Sequence, residues 1–162
     1  MLNETAFRKA LQHGTFSFTP RPSPLPGDLR MAWGISLLVI ACRYSRGKRL
    51  SFQKLQFLAH SIRIPEGRDE VRGLLAGTYS AADVSFRVEP SLNRAVAYAH
   101  ALKLVTIEKG TTISLTQEGS EIADAIIEDP ETLQVEKHFL REVTPRITEN
   151  LMKRVWRLED LL

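Results

Sequence analysis

Four histidines and one cysteine are the first residues to weigh for metal or nucleophilic chemistry. His13, His60, His100 and His138 fall in separate segments, and none stands at ligand spacing from another or from Cys42. Cys42 lies inside the apolar run Ile35–Cys42, which predicts a small buried hydrophobe rather than a nucleophile. The acids Asp124, Glu128, Asp129 and Glu131 crowd one segment end without a histidine or lysine partner, so they read as a solvated terminus. The chain contains no GxxxxGK[ST] phosphate loop and no GxSxG elbow. These residues predict a protein that is not an enzyme, with no catalytic residue, no metal and no cofactor.

Charge offers a different chemistry. Residues 21–63 carry eight Lys/Arg and one acid, Asp28, whereas residues 64–129 carry six Lys/Arg and eleven acids. Such asymmetry speaks to partners rather than to fold. The cations Arg43, Arg46, Lys48, Arg49 and Lys54 follow one another with no acid between. A turn of this kind suits phosphate contact without base reading, so these five are candidate nucleic-acid-binding residues.

The elements that must carry these residues can be read from spacing. The spacing predicts one short helix over Met1–Gly14, with Leu2, Phe7, Ala10 and Leu11 on a face. Pro20, Pro22, Pro24 and Pro26 then make Thr15–Gly27 an extended strap or a linker, never a helix. Asp28 is an expected N-cap for Leu29–Tyr44, which is apolar almost all round and so predicts a central buried helix ending by Gly47. Ser51 is placed to cap a helix over Phe52–Ile62, Pro65-Glu66-Gly67 to break it, and Glu70–Ala76 to form a weaker one. Alternation of Val84, Phe86 and Val88 suggests a short strand.

From Pro90 the pattern sharpens. Pro90 and Ser91 open a helix bearing Leu92, Val96, Ala99 and Leu102. Strands follow at Leu104–Ile107 and Thr111–Leu115 about a Lys109-Gly110 turn, and Thr116 caps a helix running to Ile127. In Glu131–Leu162, apolar residues recur every three or four positions, including Leu140, Val143, Ile147, Leu151, Val155, Leu158 and Leu162. Thr144 as cap and Pro145 at the first helical position predict two helices meeting there. Met152 and Trp156 stand one step off that stripe as a side ridge, which makes them candidate partner-binding residues unless the helix packs them onto Leu29–Tyr44.

The step Leu102-Lys103-Leu104-Val105, the Lys109-Gly110 turn and Leu115-Thr116-Gln117-Glu118-Gly119 together resemble the winged-helix family over about residues 29–128. The expected fold is mostly α with a small β-hairpin wing (α+β). The expected organisation is an N-terminal segment and strap (1–27), a winged-helix domain (28–129) and a C-terminal helical extension (130–162). One departure stands out: residues 63–89 lie where a helix-turn-helix has a short turn, so either Glu70–Ala76 is the second helix or the motif carries an insertion.

The stretch RMAWGISLLVIACRYSRGKRLSFQKLQFLAHSI followed by VEPSLNRAVAYAHALKLV is also similar to the small middle components of bacterial three-component systems built on an SMC-like ABC ATPase, anti-phage systems such as Lamassu among them. That resemblance implies a non-catalytic adaptor between the ATPase and an effector protein. The other reading is a DNA-binding winged-helix regulator, with a homodimer through its C-terminal helices as one form of it, whose reading helix would offer Asn93, Arg94, Tyr98 and His100. Across residues 88–119, however, Arg94, Lys103 and Lys109 are cancelled by Glu89, Glu108 and Glu118. A neutral reading head is a poor one, because affinity for nucleic acid comes mainly from neutralised phosphates. The longest apolar stretch, Met31–Cys42, falls short of the roughly 20 residues a membrane span needs, so a cytoplasmic protein without membrane contact is expected.

Overall fold

The computed structural model describes residues 27–84 and 86–159, with side-chain environments for residues 29–84 and 86–156. The helix expected over Met1–Gly14, the strap up to Pro26, and His13 lie outside the described residues.

The fold is built around α1 (Gly27–Tyr44). Leu37 through Cys42 are all fully buried, so this stretch of the helix is covered on every side, as a segment apolar all round must be, while Leu29 and Ala32 near its start are exposed. It starts at Gly27, which puts Asp28 in the first turn rather than at the cap. After Tyr44 the chain makes a short 3-10 turn, Arg46–Lys48, in which Gly47 and Lys48 both take positive φ (69° and 54°). It then enters β1 (Arg49–Ser51), an element without periodic signal in the sequence because it is three residues long.

Ser51 caps α2 (Phe52–Ser61) as expected, its hydroxyl accepting from the Lys54 amide at 3.1 Å. The next boundary differs from expectation. Pro65 does not merely end a helix; it opens α3 (Pro65–Ala76), where its fixed φ and missing N–H suit the first helical position. Gly77, at φ 79°, closes α3.

The strand expected around Val84–Val88 is not formed. Val84 and Phe86 are buried while Arg87 and Val88 are both exposed, and none of the described residues of this segment pairs with a strand of the sheet. Phe86 packs edge-on against Phe57 (5.6 Å between centroids) and Trp156 (4.7 Å).

Helix α4 (Pro90–Ala101) leads into β2 (Val105–Glu108), β3 (Thr112–Leu115) and α5 (Gln117–Glu128). The two β-strands join through Lys109 and Gly110, both at positive φ. The sheet is antiparallel, in the order β1-β3-β2, so it has three strands rather than the hairpin alone. Leu50 stands opposite Ile113, and Ile113 opposite Ile107. Leu50 and Ile113 turn their side chains to the core.

Two close approaches fix the layers. A Cβ on Gly34 would lie 2.9 Å from the Ala95 Cβ, so α1 and α4 cross at small residues. A Cβ on Gly119 would overlap the Leu104 carbonyl oxygen, which is why α5 can begin directly against the start of β2. Thr116 caps α5 as expected, accepting from the Gly119 amide at 3.0 Å.

The C-terminal part forms α6 (Gln134–Val143) and α7 (Glu149–Glu159). Two helices do meet here, but not at Pro145. The Thr144 amide stays in the ladder of α6, bonding the Leu140 carbonyl at 3.0 Å, and Thr148 is the cap of α7, accepting from the Leu151 amide at 3.2 Å. Helix α6 rests on α1, where Trp33 Nε1 donates to Glu136 at 2.9 Å, and on α3, where Arg72 holds Glu142. Helix α7 rests on α2 and on the 3-10 turn Ala81–Asp83. Two buried lysines satisfy orphan carbonyls at helix ends: Lys137 reaches Ile126 (3.1 Å) and Asp129 past α5, and Lys54 reaches Thr144 past α6. Among the described residues, no helix is long and apolar enough to cross a membrane.

Candidate macromolecular interface

The residues with chemistry in mind at the outset are scattered by the fold. His60, His100 and His138 do not converge, and among the described residues no three His, Cys, Asp or Glu side chains group as a metal site. His100 Nδ1 faces the Val105 carbonyl at 3.1 Å. Cys42 is fully buried, and burial pushes its thiol pKa up to about 12, which withholds the thiolate.

The five cations of the basic run part company. Arg43 is bound to Asp124 (Nε–Oδ1 2.8 Å), which joins the end of α1 to α5. Asp124 is therefore no idle member of a solvated acid cluster. Lys54 is 6% exposed and its ammonium donates to the Thr144 carbonyl at 2.8 Å. Burial holds its pKa below the ordinary lysine range, with Glu149 opposing that shift. Lys54 is thus a structural cap and leaves the set of phosphate-contacting candidates. Arg46, Lys48 and Arg49 remain exposed.

The Met152–Trp156 ridge is also corrected. Met152 is fully buried, and Trp156 packs on the core beside Phe86 with its indole Nε1 buried and without a hydrogen-bond partner. Helix α7 turns this ridge inward because the segment carrying Phe86 lies across it. A helical wheel shows which residues share a face, not which faces are covered.

What the fold leaves open is one face of α4. Tyr98 and Leu102 are 57% and 60% exposed, and Arg94, Ala97 and Ala101 are exposed beside them. The spacing had put Leu102 in the core stripe. It escapes because the helix ends there and Lys103, at φ 58°, turns the chain so that Val105 supplies the buried side chain instead. Between α4 and the β2–β3 hairpin runs an open groove of about 220 Å³, lined by Phe52, Asn93, Val96, Ile107, Thr111 and Ile113.

The side chain that sets α4 in place carried no recognisable sequence signal. Gln56, fully buried in α2, accepts from the Glu89 amide (2.8 Å) and donates to the Glu89 carbonyl (3.3 Å) and to Asn93 Oδ1 (3.1 Å). Glu89 precedes α4 and is also ion-paired to Arg63 at the end of α2. So α2 holds the start of α4, and residues 62–89, α3 among them, run between the two helices. Gln56→Ala should cost about 1–3 kcal/mol, because the Glu89 amide and the Asn93 side chain lose their buried partner together. A urea titration reads this directly, and an unchanged midpoint would remove the clamp.

Comparison with protein-family models, curated proteins and solved structures finds no match for the chain.

Proposed function

We propose that this chain is a winged-helix adaptor that acts through protein contact and carries no catalytic site. The observation that carries the reading is the exposed face of α4, where Tyr98, Leu102, Ala97 and Ala101 stand with one arginine, Arg94, rather than a row of cations. Tyrosine is enriched at the anchors of protein interfaces, and small neighbours let a partner approach closely. Asn93, a residue a DNA-reading helix would use, is occupied by Gln56. The strand order β1-β3-β2, the turn at Lys109-Gly110 and the Gly119 contact support the winged-helix assignment. The similarity to the middle components of SMC-like ATPase systems supports a role between such an ATPase and an effector.

The test uses the full chain co-expressed with an SMC-like ATPase of that kind. Tyr98→Ala with Leu102→Ala should leave stability within about 0.5 kcal/mol, since both residues are largely exposed. The same pair should weaken capture of the partner by about 30-fold or more, the equivalent of an anchor worth about 2 kcal/mol. Undiminished capture would overturn the assignment of this face. A single DNA operator bound far above random sequence, and lost on Arg94→Ala, would replace the adaptor with a transcriptional regulator.

A further inference from the structure

We infer that a second surface, the basic corner formed by Arg46, Lys48, Arg49 and Lys103, holds the phosphodiester backbone of nucleic acid without reading its bases. This does not rest on the adaptor reading, and it uses none of the residues of the α4 face tested above.

The corner is assembled by three remote segments. Lys48 Nζ donates to Ser120 Oγ at 3.3 Å, and the Ser120 hydroxyl donates to the Thr116 carbonyl at 2.9 Å. The Thr116 hydroxyl in turn donates to the Lys103 carbonyl at 2.7 Å. This relay places the 3-10 turn and the α4–β2 turn beside the same first turn of α5. Arg49 follows Lys48 directly and is fixed by strand pairing: it stands opposite Ser114, and Ser114 stands opposite Thr106. Paired residues share a sheet face, so Arg49 and two hydroxyls form a row across three strands spaced about 4.8 Å apart.

Exposed cations are the groups that contact phosphate oxygens; the Ser114 and Ser120 hydroxyl protons go to Glu108 and the Thr116 carbonyl, which leaves the exposed Thr106 as the hydroxyl donor of the row. None of these cations stands on an α-helix, the element that most often carries base-reading side chains into the major groove, so contact with the backbone alone is the expected mode. The backbone of the turn is held by Gly47 and Lys48 at positive φ, which presents the cations from a defined loop. The acids nearby are Glu118 and Glu121 on α5 and Glu108 on β2, whose carboxylate accepts from Ser114 at 3.2 Å. They limit the corner to weak, salt-sensitive binding. Cations spread over three elements suit a polymer with evenly repeated charge better than an acidic protein segment.

The experiment measures affinity of the full chain for a random-sequence DNA duplex between about 50 and 200 mM salt. The expected result is weak binding that falls steeply with salt. Arg46→Ser, Lys48→Ser and Arg49→Ser together should lower affinity about tenfold or more at the low-salt end and flatten the log–log salt slope by about 2–3, near 0.9 for each lost contact. The charge reversal Arg46→Glu serves the same purpose should the triple variant lose its fold by circular dichroism. Tyr98→Ala with Leu102→Ala should leave both quantities unchanged. Three results would overturn the inference: no duplex binding by the unaltered chain, an unchanged slope in the folded variants, or polyglutamate bound as tightly as DNA, which would assign the corner to an acidic protein.

Discussion

Met152→Ala combined with Trp156→Ala should unfold much of the C-terminal half of the protein rather than merely detach a partner. Met152 is fully buried, and Trp156 closes an aromatic stack with Phe86 and, through it, Phe57. Truncating a buried Met costs about 2–5 kcal/mol and a Trp about 3–5 kcal/mol. Trp156 is only part-buried, so the lower end applies to it, and the two residues share a turn of α7, so their costs need not add. Even about 5 kcal/mol is comparable to the whole stability of a small domain, about 5–15 kcal/mol. Thermal melting beside size by light scattering separates the alternatives. A large fall in melting temperature is expected; an unaltered melting temperature with a change of size would return the ridge to an interface.

Gly119→Ala should be the most damaging glycine-to-alanine change among the described residues. The added Cβ would overlap the Leu104 carbonyl oxygen, and the atom it meets is backbone, so no side chain can rotate away to relieve the clash. That carbonyl also receives the Thr116 amide at 3.1 Å, so moving it disturbs the junction of β2, β3 and α5 at once. Overpacking costs about 1–3 kcal/mol where side chains can yield, and about 3 kcal/mol or more is expected here. At about 2–4 °C per kcal/mol for a chain of this size, melting should fall by roughly 6–12 °C. Gly110→Ala is the matched control. Its Cβ would meet nothing within 4 Å, and the strain of φ 72° alone should cost about 1–2 kcal/mol. Gly119 itself has no positive φ, so a loss at Gly119 no larger than that at Gly110 would overturn the close approach as its cause.

Much of the scaffold was legible from the residues themselves. Ser51 and Thr116 cap the helices they precede, and Lys109-Gly110 makes the expected turn. Leu29–Tyr44 becomes the buried helix, and the Gly of the Leu-Thr-x-x-Gly step proves to be a steric requirement. The candidate interfaces were less legible. Of the five cations in one run, Lys54 is buried and Arg43 is bound to Asp124, while Leu102, placed with the core stripe, lies on the surface. Gln56 looks like any polar residue on a helix until α4 is laid against it.

The division follows the range of the forces involved. A cap, a left-handed turn and an all-apolar helix depend on groups within a few residues of one another and on transfer from water, so the sequence by itself determined them. Whether Met152 faces a partner or the core depends on the segment around Phe86, some 66 residues earlier along the chain. Whether Lys54 meets phosphate or a helix end depends on Thr144, 90 residues away. Those outcomes were decided by the tertiary structure alone, because hydrophobic periodicity marks a face as needing cover while only the packed chain supplies what covers it.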